Sequence, residues 1–245
     1  MLRLISLNIE LDKHYGRIFP FLAEMNPDVI CLQEVPRNAT DLLRVMGYCT
    51  VYLPMFTRKL ESGTHEVGIT IASRTPLRAW SYYYHIPEEN MTRNKEGKPD
   101  HRSFGYIMSE TVVNGEQYRI GTTHFWDSAD GHTDAMQRAL IRKLIPALES
   151  ELPHILCGDF NIPRGHNALY DKLTVRYNES IPLRYHSSLD RNLHKLGKAE
   201  LDEPIFDEYM VDYILTEEPY IASDTKLHFG VSDHAAVSST IIIRP

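Results

Sequence analysis

The chain has 245 residues, 42% of them hydrophobic, and a formal net charge of −7. That length and core content fit one large α/β domain, and no Pro/Gly/Ser-rich linker, low-complexity tract or internal repeat divides residues 1–245. The acidic balance argues against a non-specific nucleic-acid coat, although an acidic hydrolase can still engage phosphate through a metal and a local basic rim.

The start, MLRLISLNIE, carries Arg3 and Glu10 and alternates like a strand, so a signal peptide and a membrane span are not expected there or in any other apolar run. Cys31, Cys49 and Cys157 are an odd number. Two of them lie in apolar runs, which fits reduced core thiols and a cytoplasmic setting better than a disulfide framework or a zinc site. Residues 2–9 read as a strand apolar on both faces, with Asn8 interrupting the pattern and Glu10 sharing its side. A helix is expected over 16–25, stopped by Asn26 and Pro27, then a strand over 28–34 that ends in Gln33 and Glu34. A short helix (38–46) and two strands (48–55 and 67–73) follow, separated by a polar loop that ends at Glu66.

After a β-rich run at 80–86, residues 87–102 are polar and basic, with Arg93, Lys95, Lys98, His101 and Arg102 in an exposed loop or hairpin extension. A hairpin turns at Asn114 and Gly115, and its second strand ends at His124. Thr133 or Asp134 caps a helix marked by Met136, Leu140, Leu144 and Leu148, whose last turn Pro146 should kink or fray. HILCGDFNIP (154–163) then reads as a buried strand ended by a sharp turn at Gly158, which leaves Asp159 and Asn161 facing one way just beyond it. One short helix covers 166–173. Residues 174–208 read mostly as loop, with a basic cluster of Arg184, Arg191, His194, Lys195 and Lys198. Two final strands are expected at 209–215, which buries Asp212, and 236–243, which follows Ser232, Asp233 and His234.

Each polar residue has an ordinary explanation: a turn former at Asp159 and Asn161, a strand-closing amide at Asn8, an exposed acid at Glu34, a core histidine at His124. Together they place acids, amides and histidines at successive strand ends, which suggests one site. Asp can orient and deprotonate water, Asn can donate to a phosphoryl oxygen, and carboxylate and amide oxygens suit Mg2+ or Mn2+.

The ordered blocks SLNIE (6–10), LQEV (32–35), TTHF (122–125), GDFN (158–161), VDYIL (211–215) and SDH (232–234) resemble the endonuclease/exonuclease/phosphatase superfamily of metal-dependent phosphoesterases, which includes deoxyribonuclease I. The resemblance implies a four-layer α/β sandwich with two central mixed β-sheets and a site along their upper edge. It implies metal ligation by Glu34, Asn8 and Asp233, with Asp159 acting on water and Asn161 on phosphate. His124 and His234 would stabilise phosphoryl oxygens or protonate the leaving group, with Asp212 fixing the His234 tautomer and Glu66 supporting His124. His124 stands where abasic-site endonucleases have a tyrosine, Leu7 replaces a common tryptophan, and the Asn-Gly-Leu-Arg run is absent, so the similarity is to the deoxyribonuclease, phosphatase, deadenylase and tyrosyl-DNA phosphodiesterase side.

The expected protein is therefore a monomeric Mg2+-dependent phosphoesterase acting on a nucleic-acid or nucleotide phosphate, with Arg102 gripping substrate. A lipid-headgroup or inositol phosphate is the alternative substrate class. A non-catalytic binding module on the same fold is the alternative of another kind, and it predicts a damaged motif that the chain does not show.

Overall fold

The computed structural model describes residues 1–60, 63–87, 101–128, 131–195 and 205–244. One six-stranded mixed sheet contains β1 (Leu2–Asn8), β2 (Val29–Pro36), β3 (Cys49–Leu60), β4 (Gly63–Ser73), β11 (Tyr220–His228) and β12 (Ala236–Ile243), in the order β11-β12-β1-β2-β4-β3. The second contains β5 (Arg78–His85), β6 (Phe104–Val113), β7 (Glu116–His124), β8 (Ile155–Asp159), β9 (Asn178–Glu179) and β10 (Asp212–Thr216), in the order β5-β6-β7-β8-β10-β9. The helices are α1 (Tyr15–Met25), α2 (Ala39–Val45), α3 (Ala135–Glu149), α4 (Tyr170–Thr174) and α5 (Ile205–Glu208). No helix among the described residues is long and apolar enough to cross a membrane.

Because successive strand residues face opposite sides, β1 is apolar on both faces for two different reasons. Leu2 and Leu4 join the core between the sheets, with Val29, Ile120, Ile155 and Cys157. Ile5, Leu7 and Ile9 turn outward to Ile18 and Leu22 of α1 and Ala39 and Leu43 of α2. On the far side, α3 contributes Leu140, Leu144 and Leu148 to the apolar cluster of the second sheet. The result is the expected four-layer α/β sandwich.

Local chemistry sets the element ends. Asn26 stops α1 in the left-handed region (φ 42°), and its N–H donates to the Leu22 carbonyl. Asn114 and Gly115, at φ 53° and 81°, make the hairpin turn between paired Val113 and Glu116. Asp134 is the α3 cap, accepting from the Gln137 N–H at 2.6 Å.

Several expectations need correction. α3 does not fray at Pro146: the last turn runs on to Glu149, and the Pro146 carbonyl accepts the Ser150 N–H. The polar stretch before Glu66 belongs mainly to the long β3–β4 ladder, and the short helix lies at 170–174 instead of 166–173. β11 adds a third C-terminal strand to the two expected. Gly158 lies inside β8 and is required by close approach: a Cβ there would stand 2.1 Å from the Thr123 carbonyl oxygen of the parallel neighbour β7. Arg93, Lys95, Lys98 and Lys198 lie outside the described residues.

Candidate active site at the strand ends

The inter-sheet face changes character along each strand. Leu4, Ser6 and Asn8 succeed one another on β1, Val29, Cys31 and Gln33 on β2, Ile120, Thr122 and His124 on β7, and Ile155, Cys157 and Asp159 on β8. Apolar packing thus gives way to hydroxyl, thiol and amide groups, and then to the reactive side chains. Gln33 bridges the sheets below the site by donating to Thr122 Oγ1 at 3.0 Å. Register brings the ends together: His124 pairs with Asp159, and Asp159 with Asp212.

Asp159, 2% exposed, is the hub. Its Oδ2 accepts from Asn8 Nδ2 at 3.0 Å and stands 3.6 Å from His124 Nε2 and 3.9 Å from His234 Nδ1. Its Oδ1 accepts the Asn161 N–H at 3.0 Å, which helps hold Asn161 at φ 50°. The Asn161 amide donates to the Phe125 carbonyl at 3.0 Å and lies 3.4 Å from His124 Nε2. Burial and the neighbouring Asp212 raise the Asp159 carboxyl above its ordinary range, against the opposing pull of His234, His124 and the Asn8 amide.

His234 and Asp212 form a tighter pair, with Nδ1 2.7 Å from Oδ2. Ser188 donates to that same oxygen at 2.6 Å and accepts the N–H groups of Val211 and Asp212, so a loop hydroxyl fixes the acid that fixes the imidazole. Burial opposes charge on His234, but Asp212 and Asp159 outweigh it and hold its pKa well above the imidazole range. Among the described residues nothing hydrogen-bonds the buried Asp212 Oδ1.

Glu34 reaches the cluster through a bulge. Three steps on β2, from Leu32 to Val35, oppose two on β4, and Glu34 takes φ 53°. Asn8 Nδ2 donates to its Oε1 at 3.4 Å, while Asn8 Oδ1 accepts the Glu10 N–H at 3.1 Å. Asp233 sits nearby, 6% exposed, its carboxyl pushed up to about 7 by burial and by the charges of Glu10 and Glu34, against the pull of His234. Among the described residues no Lys or Arg pairs with Glu34 or Asp233. Such crowded, uncompensated oxygen donors fit a hard divalent cation.

Glu66 does not join this group. It pairs across the ladder with Thr57, is 48% exposed, and forms an ion pair with Arg37 at 3.5 Å. No hydrogen bond or ion pair joins it to His124 among the described residues. Arg102 lies against the segment after His124, pairing with Asp127 at 2.6 Å and stacking over Trp126 at 4.7 Å.

Sequence reasoning missed Ser188, because only tertiary contact gives it a role. It also passed over His14, which pairs with Glu10 at 2.9 Å, and Gln137, which donates to the Asn161 and Trp126 carbonyls. The position of His14 four residues after Glu10, at the start of a helix, was the available signal for that pair.

Two stacked mixed sheets with this cluster along one edge define the deoxyribonuclease I-like class of fold. Within it, the chain belongs to the Endonuclease/Exonuclease/phosphatase family, whose sequence profile matches residues 5–234. It is similar in fold to an endonuclease/exonuclease/phosphatase from Beutenbergia cavernae DSM 12333 (17% identity, 99% of this chain and 72% of that one, TM-score 0.72). Similar too are the human Nocturnin catalytic domain with bound sulfate (17%, 99% and 93%, TM-score 0.68) and a 3′ phosphatase from Neisseria bound to a product DNA hairpin (16%, 99% and 100%, TM-score 0.62). A search of curated proteins returns no match to the sequence.

Proposed function

We propose that the chain is a Mg2+-dependent phosphoesterase, hydrolysing a phosphodiester or phosphomonoester of a nucleic acid or nucleotide by in-line attack of water. The observation that carries this reading is the shared Asp159 Oδ2, which faces Asn8, His124 and His234 at once.

Asp159, with its raised pKa, orients water and accepts its proton. Asn161 donates to a phosphoryl oxygen, and His124 beside it stabilises the charge developing there. His234, held charged by Asp212, supplies the leaving-group proton from the ring nitrogen that does not face the acid. Glu34, Asn8 and Asp233 would hold the cation, whose contribution when bound is to neutralise charge on the phosphoryl group. The likeness to a 3′ phosphatase with product DNA supports the substrate class.

The test is a matched panel of end-labelled oligonucleotides, mononucleotides, inositol phosphates and lipid headgroup phosphates with Mg2+. Turnover confined to the nucleic-acid and nucleotide members supports the reading. Preferential turnover of inositol or lipid phosphates overturns its substrate part.

A further inference from the structure

Beside the Asn8–Glu34 corner, three side chains from separate segments converge. Glu10 lies on the turn after β1, His14 immediately precedes α1, and Asp233 lies on the loop before β12. One potential donor atom from each falls within 4.8 Å of the other two. Glu10 Oε2 and His14 Nε2 are 2.9 Å apart, close to the separation of roughly 3 Å expected for neighbouring ligands on metal bonds of about 2.1 Å.

The three positions are well defined. The Glu10 N–H is held by Asn8 Oδ1, and the His14 carbonyl accepts the N–H groups of Arg17 and Ile18, which fixes the backbone from which its ring projects. His14 is 7% exposed. Asp233, buried to a similar degree, receives the Ser232 hydroxyl on Oδ1 at 3.2 Å, and its second oxygen has no hydrogen bond among the described residues. Lys13 also pairs with this corner. It is 54% exposed and pairs with Glu10 Oε1, leaving Oε2 to face His14.

We propose that Glu10, His14 and Asp233 form a second divalent-cation site, with one imidazole and two carboxylate donors, next to the all-oxygen site of Asn8 and Glu34. Asp233 stands between the two. The nitrogen donor gives this site a preference for a borderline ion such as Co2+ or Zn2+ over Mg2+. The inference rests on the reading of Glu34 as ligand of the neighbouring site, but counting bound metal is independent of turnover.

Calorimetric titration of the full chain with Co2+ alone tests it, together with the visible spectrum of the bound ion. The wild-type chain is expected to bind about two ions, and His14→Gln and Glu10→Gln about one each, with loss of the same spectral component. Glu34→Gln should keep that component, and excess Mg2+ should displace only the other ion. Unchanged stoichiometry and spectrum in folded His14→Gln or Glu10→Gln would show an ordinary hydrogen bond at the helix start and overturn the proposal. Binding of a single ion that Glu34→Gln abolishes would overturn it equally. Should His14→Gln fail to fold, NMR of selectively 15N-histidine-labelled wild-type chain decides: Zn2+ must shift the His14 Nε2 resonance, and an unmoved resonance refutes the site. A wild-type chain that binds both ions but shows no Mg2+-dependent hydrolysis of any phosphoester would instead count against the hydrolytic reading and leave the site standing.

Discussion

Acid–histidine pairs stand at both ends of the β8–β10 ladder, and they are built in opposite ways. Beyond the far end, Glu217 is saturated: Oε1 accepts the His154 N–H at 2.8 Å and an Arg176 N–H at 2.9 Å, and Oε2 accepts the Arg176 Nε–H. His154 Nδ1 lies 3.0 Å from Glu217, and its Nε2 bonds the Tyr177 hydroxyl at 2.8 Å. At the site end, Asp159 and Asp212 crowd one imidazole, and among the described residues one Asp212 oxygen has no hydrogen bond. A buried acid with every partner present serves stability, whereas one left under-compensated stores charge for a substrate or an ion.

The comparison breaks most visibly through activity. Asp159→Asn or His234→Ala should lower kcat by about 10²–10⁴ while the circular dichroism spectrum stays native, because these groups serve the reaction more than the fold. Wild-type turnover in either variant removes it from the proposed chemistry. Asp212→Asn should cost about 10–100-fold, since it disturbs the orientation of His234 without removing it, and should leave the unfolding free energy within about 1 kcal/mol of wild type. A large loss of stability would put Asp212 in the same class as Glu217.

Glu217→Gln should show the converse, losing about 2 kcal/mol of stability in urea titration with kcat retained, because Arg176 and His154 lose a charged acceptor. Burial pushes the Glu217 carboxyl upward, but its His154 and Arg176 hydrogen bonds outweigh that and hold it below the ordinary carboxylate range. A depressed folded pKa gives stability that is present above the unfolded value and lost as pH falls through the folded one. Wild-type stability should therefore decline on acidification below the usual glutamate range, and Glu217→Gln should flatten that decline. Parallel curves would contradict the assignment. The smallest effect is expected at Arg102, already engaged with Asp127 and Trp126: Arg102→Ala should raise KM a few-fold and lower kcat less, and the reverse split would place it in the transition state.

Most of this contrast follows from local patterns, and the remainder does not. The alternation of β1, the Asn114–Gly115 turn and the GDFN block are short-range signals, and they were readable as strand, hairpin and strand end. β11 was not, because an edge strand with Ser223, Asp224, Thr225 and Lys226 lacks an apolar stripe, and its ladder shifts register between Ser223 and Lys226 around Asp224 at φ 53°. Only the family resemblance assigns Glu66 to the site. Its orientation depends on the β3 partner and Arg37, which no local window contains. Ser188 lies in a stretch without periodicity and gains meaning only where it meets Asp212.

The most direct measurement is release of p-nitrophenol from bis-p-nitrophenyl phosphate by the wild-type chain, Asp159→Asn and Glu34→Gln, with Mg2+, with Mn2+ and with a chelator. The account predicts hydrolysis by the wild-type chain with a divalent ion, abolished by chelator and nearly silenced in both variants. Release that persists in chelator, or that Asp159→Asn supports at the wild-type rate, would contradict it.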